Sequence, residues 1–154
     1  MNTQAEIALT DFRKDYEAFL LACNELEESG RWNTAEFGPA AAYFESDAFG
    51  AILQVMSADG VFERSEAEVL NAIFDTNYKA RELSGMYHST EPTLQAYLDE
   101  NADDALTLLG GIDPTLAESY RKLLLEACRI VSLSDGVAEK SERMLIAQLR
   151  EALV

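Results

Sequence analysis

Two copies of an acidic eight-residue stretch occur in the chain, at residues 59–66 and at residues 135–142. Six of the eight positions are identical between the copies, and a seventh exchanges Arg64 for Lys140. Each copy carries three carboxylates: Asp59, Glu63 and Glu66 in the first acidic stretch, and Asp135, Glu139 and Glu142 in the second. Carboxylates crowded in this way repel one another unless they are neutralised. Ca²⁺ or Mg²⁺ would neutralise them, because both ions bind carboxylate and carbonyl oxygens. The pattern therefore predicts two acidic sites for a divalent cation.

The spacing of each acidic stretch overlaps the second half of an EF-hand loop, in which Asp-Gly precedes a glutamate. The first half of that loop is missing, because the positions that should hold Asp or Asn hold Val55 and Ser57 in one copy and Val131 and Leu133 in the other. A bound ion would therefore need oxygen from elsewhere in the fold. The oxygen-only donor set favours Ca²⁺ or Mg²⁺ over Zn²⁺, which usually recruits His or Cys. We expect a dissociation constant on the order of 10⁻⁴ M, weaker than that of a sensor EF-hand.

The same residue types also suit a turn that joins two helices. Glycine tolerates a positive φ, aspartate forms hydrogen bonds with nearby backbone, and acidic residues are favourable in the first turn of a helix. A duplicated turn would also be kept for its shape. The residues alone therefore leave both roles open, and Glu63 and Glu139 in particular could point to solvent instead of towards an ion.

The elements that must position these residues are helices. Apolar residues recur at helical spacing before and after each acidic stretch, and no stretch alternates in the manner of a strand. We predict an all-α fold of about seven helices in one bundle-like domain that spans residues 1–154. Two helix-turn-helix repeats, at 40–79 and 113–154, should be related by a pseudo-twofold rotation. Residues 1–38 would then form an N-terminal helix and loop extension.

Local signals predict where several of these helices begin and end. Thr3 and Glu6 fit a capping box at the start of the first helix, and Gly30 should end that helix. Pro39 should open the next helix, since proline is tolerated in a first helical turn. Gly50 lies inside that predicted helix, where it indicates either a kink or a close contact with another helix.

Two Asp-Gly motifs, each followed by a glutamate in an acidic all-helical chain, resemble the tellurite-resistance TerB family and the wider group of TerB-like domains. The resemblance covers roughly residues 40–154, and its matching residues are Asp59, Gly60 and Glu66, and Asp135, Gly136 and Glu142. It implies a pseudo-twofold helical fold with clustered acidic residues that bind metal. It also implies a cytoplasmic role in responses to tellurite or other chemical stress, beside membrane-associated partner proteins.

The charge of the chain limits its partners. There are 12 Lys and Arg residues against 28 Asp and Glu residues, so the formal net charge is −16. Nucleic acid and anionic membrane surfaces are excluded as expected partners, because both need a basic surface. An acidic surface suits cations or basic proteins. The alternative function is therefore an acidic helical domain that binds a protein partner without any metal.

No pattern in the sequence indicates an enzyme. His88 is the single histidine and has no nucleophile elbow near it, and Gly110-Gly111 lacks the lysine of a phosphate-binding loop. Cys23 and Cys128 lie in apolar helical registers without a CxxC spacing, so we expect both to be packing residues. The N-terminus has neither the basic nor the apolar region of a signal peptide, and no apolar run approaches the roughly 18 residues of a membrane span. We expect a cytoplasmic protein that does not insert into a membrane.

Overall fold

The structure is a computed structural model that describes residues 2–57, 60–100, 102–134 and 140–154, with side chains from residue 143 onward in the last range. Within these ranges the chain forms nine helices and no strand. They are α1 (Thr3–Glu28), α2 (Thr34–Phe37), α3 (Ala40–Met56), α4 (Arg64–Phe74), α5 (Ala80–Ser89), α6 (Thr93–Leu98), α7 (Ala105–Gly110), α8 (Pro114–Leu133) and α9 (Lys140–Ala152). The predicted all-α class is confirmed. The count exceeds the expected seven partly because α2 is a single turn of four residues inside a predicted loop.

Helix α1 begins one residue earlier than its sequence pattern suggests. Asn2 is the N-cap, and its side-chain oxygen accepts a hydrogen bond from the Ala5 N–H at 2.9 Å. The amide nitrogen of the same side chain donates to the Leu133 carbonyl at 2.5 Å, which fixes the start of α1 beside the end of α8. The predicted Thr3 cap is therefore wrong, because Asn2 caps the helix and Thr3 is its first residue.

The central helix of the domain is α3. It packs against all of the other long helices, namely α1, α4, α5, α8 and α9. Helix α1 packs most extensively along α8. The rings of Phe19, Phe44 and Tyr120 meet where α1, α3 and α8 come together, with centroids 5.1–5.7 Å apart. The N-terminal helix therefore shares one hydrophobic core with the rest of the chain.

Gly50 marks a close helix contact. A Cβ atom at this position would lie 2.9 Å from the Thr93 hydroxyl oxygen of α6, so a larger residue would force Thr93 to shift. The Gln54 side chain supports the same contact, because its oxygen accepts from the Leu94 N–H at 2.7 Å and its nitrogen donates to the Glu91 carbonyl at 2.7 Å. Of the two roles predicted for Gly50, the structure therefore supports the close contact.

Both acidic stretches join long helices, since α3 precedes and α4 follows the first, and α8 precedes and α9 follows the second. The pseudo-twofold relation between the two pairs stays a prediction, because most of the second stretch lies outside the described residues. Among the described helices, none is both long enough and apolar enough to cross a membrane.

Candidate functional site

The first acidic stretch forms a tight turn against α5. Helix α3 ends at Met56 and α4 begins at Arg64. Between them Gly60 has a φ of +78°, in the left-handed region that glycine tolerates best. A Cβ atom on Gly60 would lie 2.7 Å from the Tyr87 ring of α5. Backbone conformation and close packing therefore both require the glycine that the sequence places here.

Further hydrogen bonds fix this turn to its neighbours. The Ser57 hydroxyl donates to the Val61 carbonyl at 2.9 Å, within the turn. The Phe62 N–H donates to the Ser84 hydroxyl oxygen of α5 at 3.1 Å, and that hydroxyl donates in turn to the Ala80 carbonyl at 3.1 Å. Ser84 thus holds the turn against α5.

Glu63 and Glu66 lie together at the start of α4. Glu63 is the exposed N-cap residue, whereas Glu66 is only 3% exposed. The Glu63 N–H donates to Glu66 Oε1 at 2.8 Å, which is the glutamate arm of a capping box. The contact satisfies an amide that would otherwise lack a partner at the helix start. Glu66 therefore has a capping role whether or not it also binds an ion.

The remaining predicted ligands fall outside what the structure describes. Asp59, Asp135 and Glu139 lie outside the described residues, and of Glu142 only the backbone is described, in the first turn of α9. Within the described part of the chain, no group of three or more His, Cys, Asp and Glu side chains is arranged to hold a metal ion. The cation sites therefore stay a prediction.

Asp47, a half-buried acidic residue on α3, was not among the residues predicted from the sequence. The hydroxyl groups of Tyr97 and Tyr120 both donate to Asp47 Oδ2, each at 2.5 Å, so that one carboxylate joins α3 to α6 and α8. Burial raises the pKa of Asp47, although the two tyrosine hydrogen bonds oppose this shift. One signal could have found the cluster: Tyr120 occupies an apolar register of its helix, and a buried tyrosine hydroxyl usually needs a partner.

A second acidic pair lies between α1 and α8. Asp15 and Glu126 approach each other, with Lys122 Nζ 3.9 Å from Asp15 Oδ2 and 3.8 Å from Glu126 Oε1. Burial raises the pKa of Glu126 to about 7, and the hydrogen bond with Asp15 and the negative charge of Asp15 add to the rise. The sequence could not show this pair, because it depends on which two distant helices pack together.

The two cysteines are packing residues, as predicted. Cys23 and Cys128 are both fully buried and not joined to each other. Burial raises the pKa of each thiol to about 12, so the reactive thiolate is scarcely present at neutral pH. The single histidine, His88, lies exposed on α5 beside Gly60.

The chain matches a known protein family. The model of a family described as "Tellurite resistance protein TerB" matches residues 46–154, which is more than half of the chain and includes both acidic stretches. Helices α1 and α2 precede the matched range. No curated protein and no solved structure matches the chain significantly. The match agrees with the resemblance carried by the two Asp-Gly motifs, and the chain therefore belongs to the TerB family of tellurite resistance proteins.

Proposed function

We propose that the protein is a non-catalytic TerB-family module that binds a divalent cation, Ca²⁺ or Mg²⁺, in a cytoplasmic response to tellurite or related chemical stress. The observation that carries this proposal is the burial of Glu66, a carboxylate in an acidic stretch that is only 3% exposed. Membership of the TerB family supports the connection to tellurite.

A buried charge such as that of an ionised Glu66 carries an energetic cost. Removing an ionised carboxylate from water is unfavourable by several kcal/mol unless hydrogen bonds or opposite charges compensate for it. The Glu63 N–H donates to Glu66 and lowers this cost, and a cation bound at the turn would stabilise the buried carboxylate further. The donors available in the stretch are oxygens, which suits a hard divalent cation. Glu66 with Asp59, and Glu142 with Asp135, are the pairs that would hold the ions.

Thermal unfolding with and without the ions tests this proposal. At one hundred times the dissociation constant, each site would stabilise the folded state by about 2.7 kcal/mol, provided the unfolded chain does not bind. We therefore expect millimolar Ca²⁺ or Mg²⁺ to raise the melting temperature by several degrees at constant ionic strength. The double variant Asp59→Asn with Asp135→Asn should lose this rise.

A matched control removes the same charge elsewhere. Glu17 and Glu25 are exposed on α1 and belong to neither acidic stretch, so the double variant Glu17→Gln with Glu25→Gln should keep the ion-dependent rise in melting temperature seen in the parent. If the parent shows no ion-dependent rise, or if calorimetry finds equal ion binding by the Asp59 and Asp135 variant, the carboxylates serve the turn and the helix caps alone.

The charge of the chain favours a second candidate function, an acidic helical interaction domain that needs no metal. A net charge of −16 suits a basic protein partner, including one associated with a membrane. The two functions respond differently to solution conditions. Capture of a partner through surface charge should weaken strongly as ionic strength rises. Addition of a chelator should not change the amount of partner captured in this way. Capture that depends on a bound ion should be lost with the chelator at either ionic strength.

A further inference from the structure

A cleft of about 370 Å³ opens between α1, α3 and the segment that joins α4 to α5. Four aromatic side chains line it: Tyr16 from α1, Phe49 from α3, Phe74 from the end of α4 and Tyr78 from the joining segment. We call this feature the aromatic cleft. None of its lining residues belongs to either acidic stretch, so the cleft is separate from the predicted cation sites.

The rings of the aromatic cleft meet at steep angles. The planes of Phe49 and Phe74 cross at 66° with centroids 5.3 Å apart, and Phe49 and Tyr78 cross at 62° with centroids 5.9 Å apart. Tyr16 and Phe74 are nearly perpendicular, at 83°. Rings at these angles and distances pack edge to face against one another, and together they line the aromatic cleft. The cleft is accessible, since Tyr78 is 37% exposed.

A carboxylate lies beside these rings. Glu45 of α3 lines the aromatic cleft and is exposed, and no Lys or Arg among the described residues lies within ion-pair distance of it. Glu45 and Tyr16 both line the cleft, and burial followed by the negative charge of Glu45 raises the pKa of Tyr16. An uncompensated negative charge next to aromatic faces is complementary to a cation.

We propose that the aromatic cleft binds an arginine side chain presented by a basic partner protein. A cation is attracted to the face of an aromatic ring, and a planar guanidinium can stack on such a face while it pairs with a carboxylate. Glu45 supplies the carboxylate, and the net charge of −16 attracts a basic segment from a distance. This proposal rests on the second candidate function, the acidic interaction domain, and names the place where the partner binds.

Two of the residues that line the cleft lie outside the family match, and the other lining residues lie within it. Tyr16 and Glu45 both precede residue 46, where the match to the TerB family begins. The helix α1 that supplies Tyr16 is held in the same core as the matched region. The arginine site would therefore distinguish this chain from a TerB domain that lacks such an N-terminal helix.

The test uses two short peptides in the presence of EDTA, one with a central arginine and one with citrulline, its uncharged isostere, among glycines. Titration followed by NMR of the isotopically labelled full chain should show that the arginine peptide binds and shifts the signals of Tyr16, Phe49 and Tyr78. The citrulline peptide should bind at least fivefold more weakly. Glu45→Gln should weaken binding of the arginine peptide about two- to fivefold, and Tyr78→Leu should do the same.

Two controls separate this site from general charge attraction and from the cation sites. Glu17→Gln removes one exposed carboxylate from α1, outside the cleft, and should bind the arginine peptide as the parent does. The Asp59→Asn and Asp135→Asn variant should also bind it, even if ion binding is lost. Equal binding of the citrulline peptide, an equal effect of Glu17→Gln and Glu45→Gln, or shifts spread over the acidic surface would each overturn the proposal.

Discussion

Glu126 holds its proton more tightly in the folded chain than in the unfolded one. Burial, followed by the contact with Asp15, raises its pKa from 4.5 to about 7, while Lys122 opposes the rise. Between these two values the folded state therefore binds more protons than the unfolded state. The free energy of unfolding should therefore fall as the pH rises through this window. The contribution of Glu126 to the stability of the fold is greatest below about pH 4.5.

Glu126→Gln should remove this pH dependence. Glutamine has nearly the same shape as the protonated glutamate and cannot ionise against Asp15. We expect the free energy of unfolding of the variant to equal that of the parent near pH 4.5 and to exceed it at pH 8 by about 1 kcal/mol. This value is reduced because the pair is partly open to solvent. Urea unfolding at the two pH values measures the difference. Glu17→Gln on the exposed side of α1 is the control, and parallel pH profiles for parent and Glu126→Gln would contradict the assignment.

The sequence predicts residues of the site only where the relation is local. Glu63 and Glu66 are three positions apart, and helical geometry alone brings their backbone and side chain into contact. Asp15 and Glu126, or Asp47 and Tyr120, meet through the packing of helices that are far apart in the chain. Nothing in the spacing of such residues shows that they are neighbours.

At the scale of single elements, the predictions succeed where a residue type has one backbone role. Pro39 lies directly before α3, and Gly30 has a φ of +80° just after α1. They fail where two residues compete for a role, as Asn2 and Thr3 do at the start of α1. The short helix α2 was not predicted, because four residues are too few to show an apolar period.

Tyr97→Phe should loosen the attachment of α6 to α3. The Tyr97 hydroxyl donates to Asp47 Oδ2 at 2.5 Å, and a hydrogen bond to a charged acceptor typically contributes about 1.5–3 kcal/mol. We expect the variant to lose stability in that range, which corresponds to a fall of several degrees in melting temperature for a chain of this length. Thermal and urea unfolding measure the loss.

The control for this change is Tyr78→Phe. Tyr78 is partly exposed, and its hydroxyl makes no hydrogen bond to any described residue, so its removal should change stability by less than about 0.5 kcal/mol. Equal effects of the two variants would show that the Asp47 contact adds nothing to stability. A double-mutant cycle of Tyr97→Phe with Tyr120→Phe should be non-additive, because both hydroxyls share one carboxylate oxygen.

At the scale of the whole molecule, the all-α class follows from apolar periodicity, but the arrangement of the helices does not. Amphipathic helices can pack in several ways, and their faces do not specify which partner each one meets. The pairing of α1 with α8 and the central place of α3 therefore appear only in the structure. The aromatic cleft was missed for the same reason, since its walls come from three separate parts of the chain.

The net charge of −16 should make the folded chain sensitive to simple salt. Excess like charge destabilises a compact state through self-repulsion, and monovalent salt screens that repulsion. The ion pairs among the described residues involve exposed or partly exposed side chains, and such pairs contribute little to stability. Screening should therefore stabilise the fold more than it weakens these pairs.

We expect the melting temperature to rise by about 2–4 °C between 10 mM and 150 mM KCl with EDTA present, which corresponds to roughly 1 kcal/mol. Reversing two exposed charges on α1, with Glu17→Lys and Glu25→Lys, should raise the melting temperature at 10 mM KCl and reduce its further rise with salt. The double variant Glu17→Gln with Glu25→Gln should have a melting temperature at 10 mM KCl between those of the parent and the charge-reversal variant. A specific ion site is less sensitive to screening than the overall repulsion. Any rise in melting temperature that Mg²⁺ produces at a fixed ionic strength therefore adds to the rise produced by KCl. A melting temperature that does not change with KCl would show that the acidic side chains are too widely spaced for their repulsion to oppose folding.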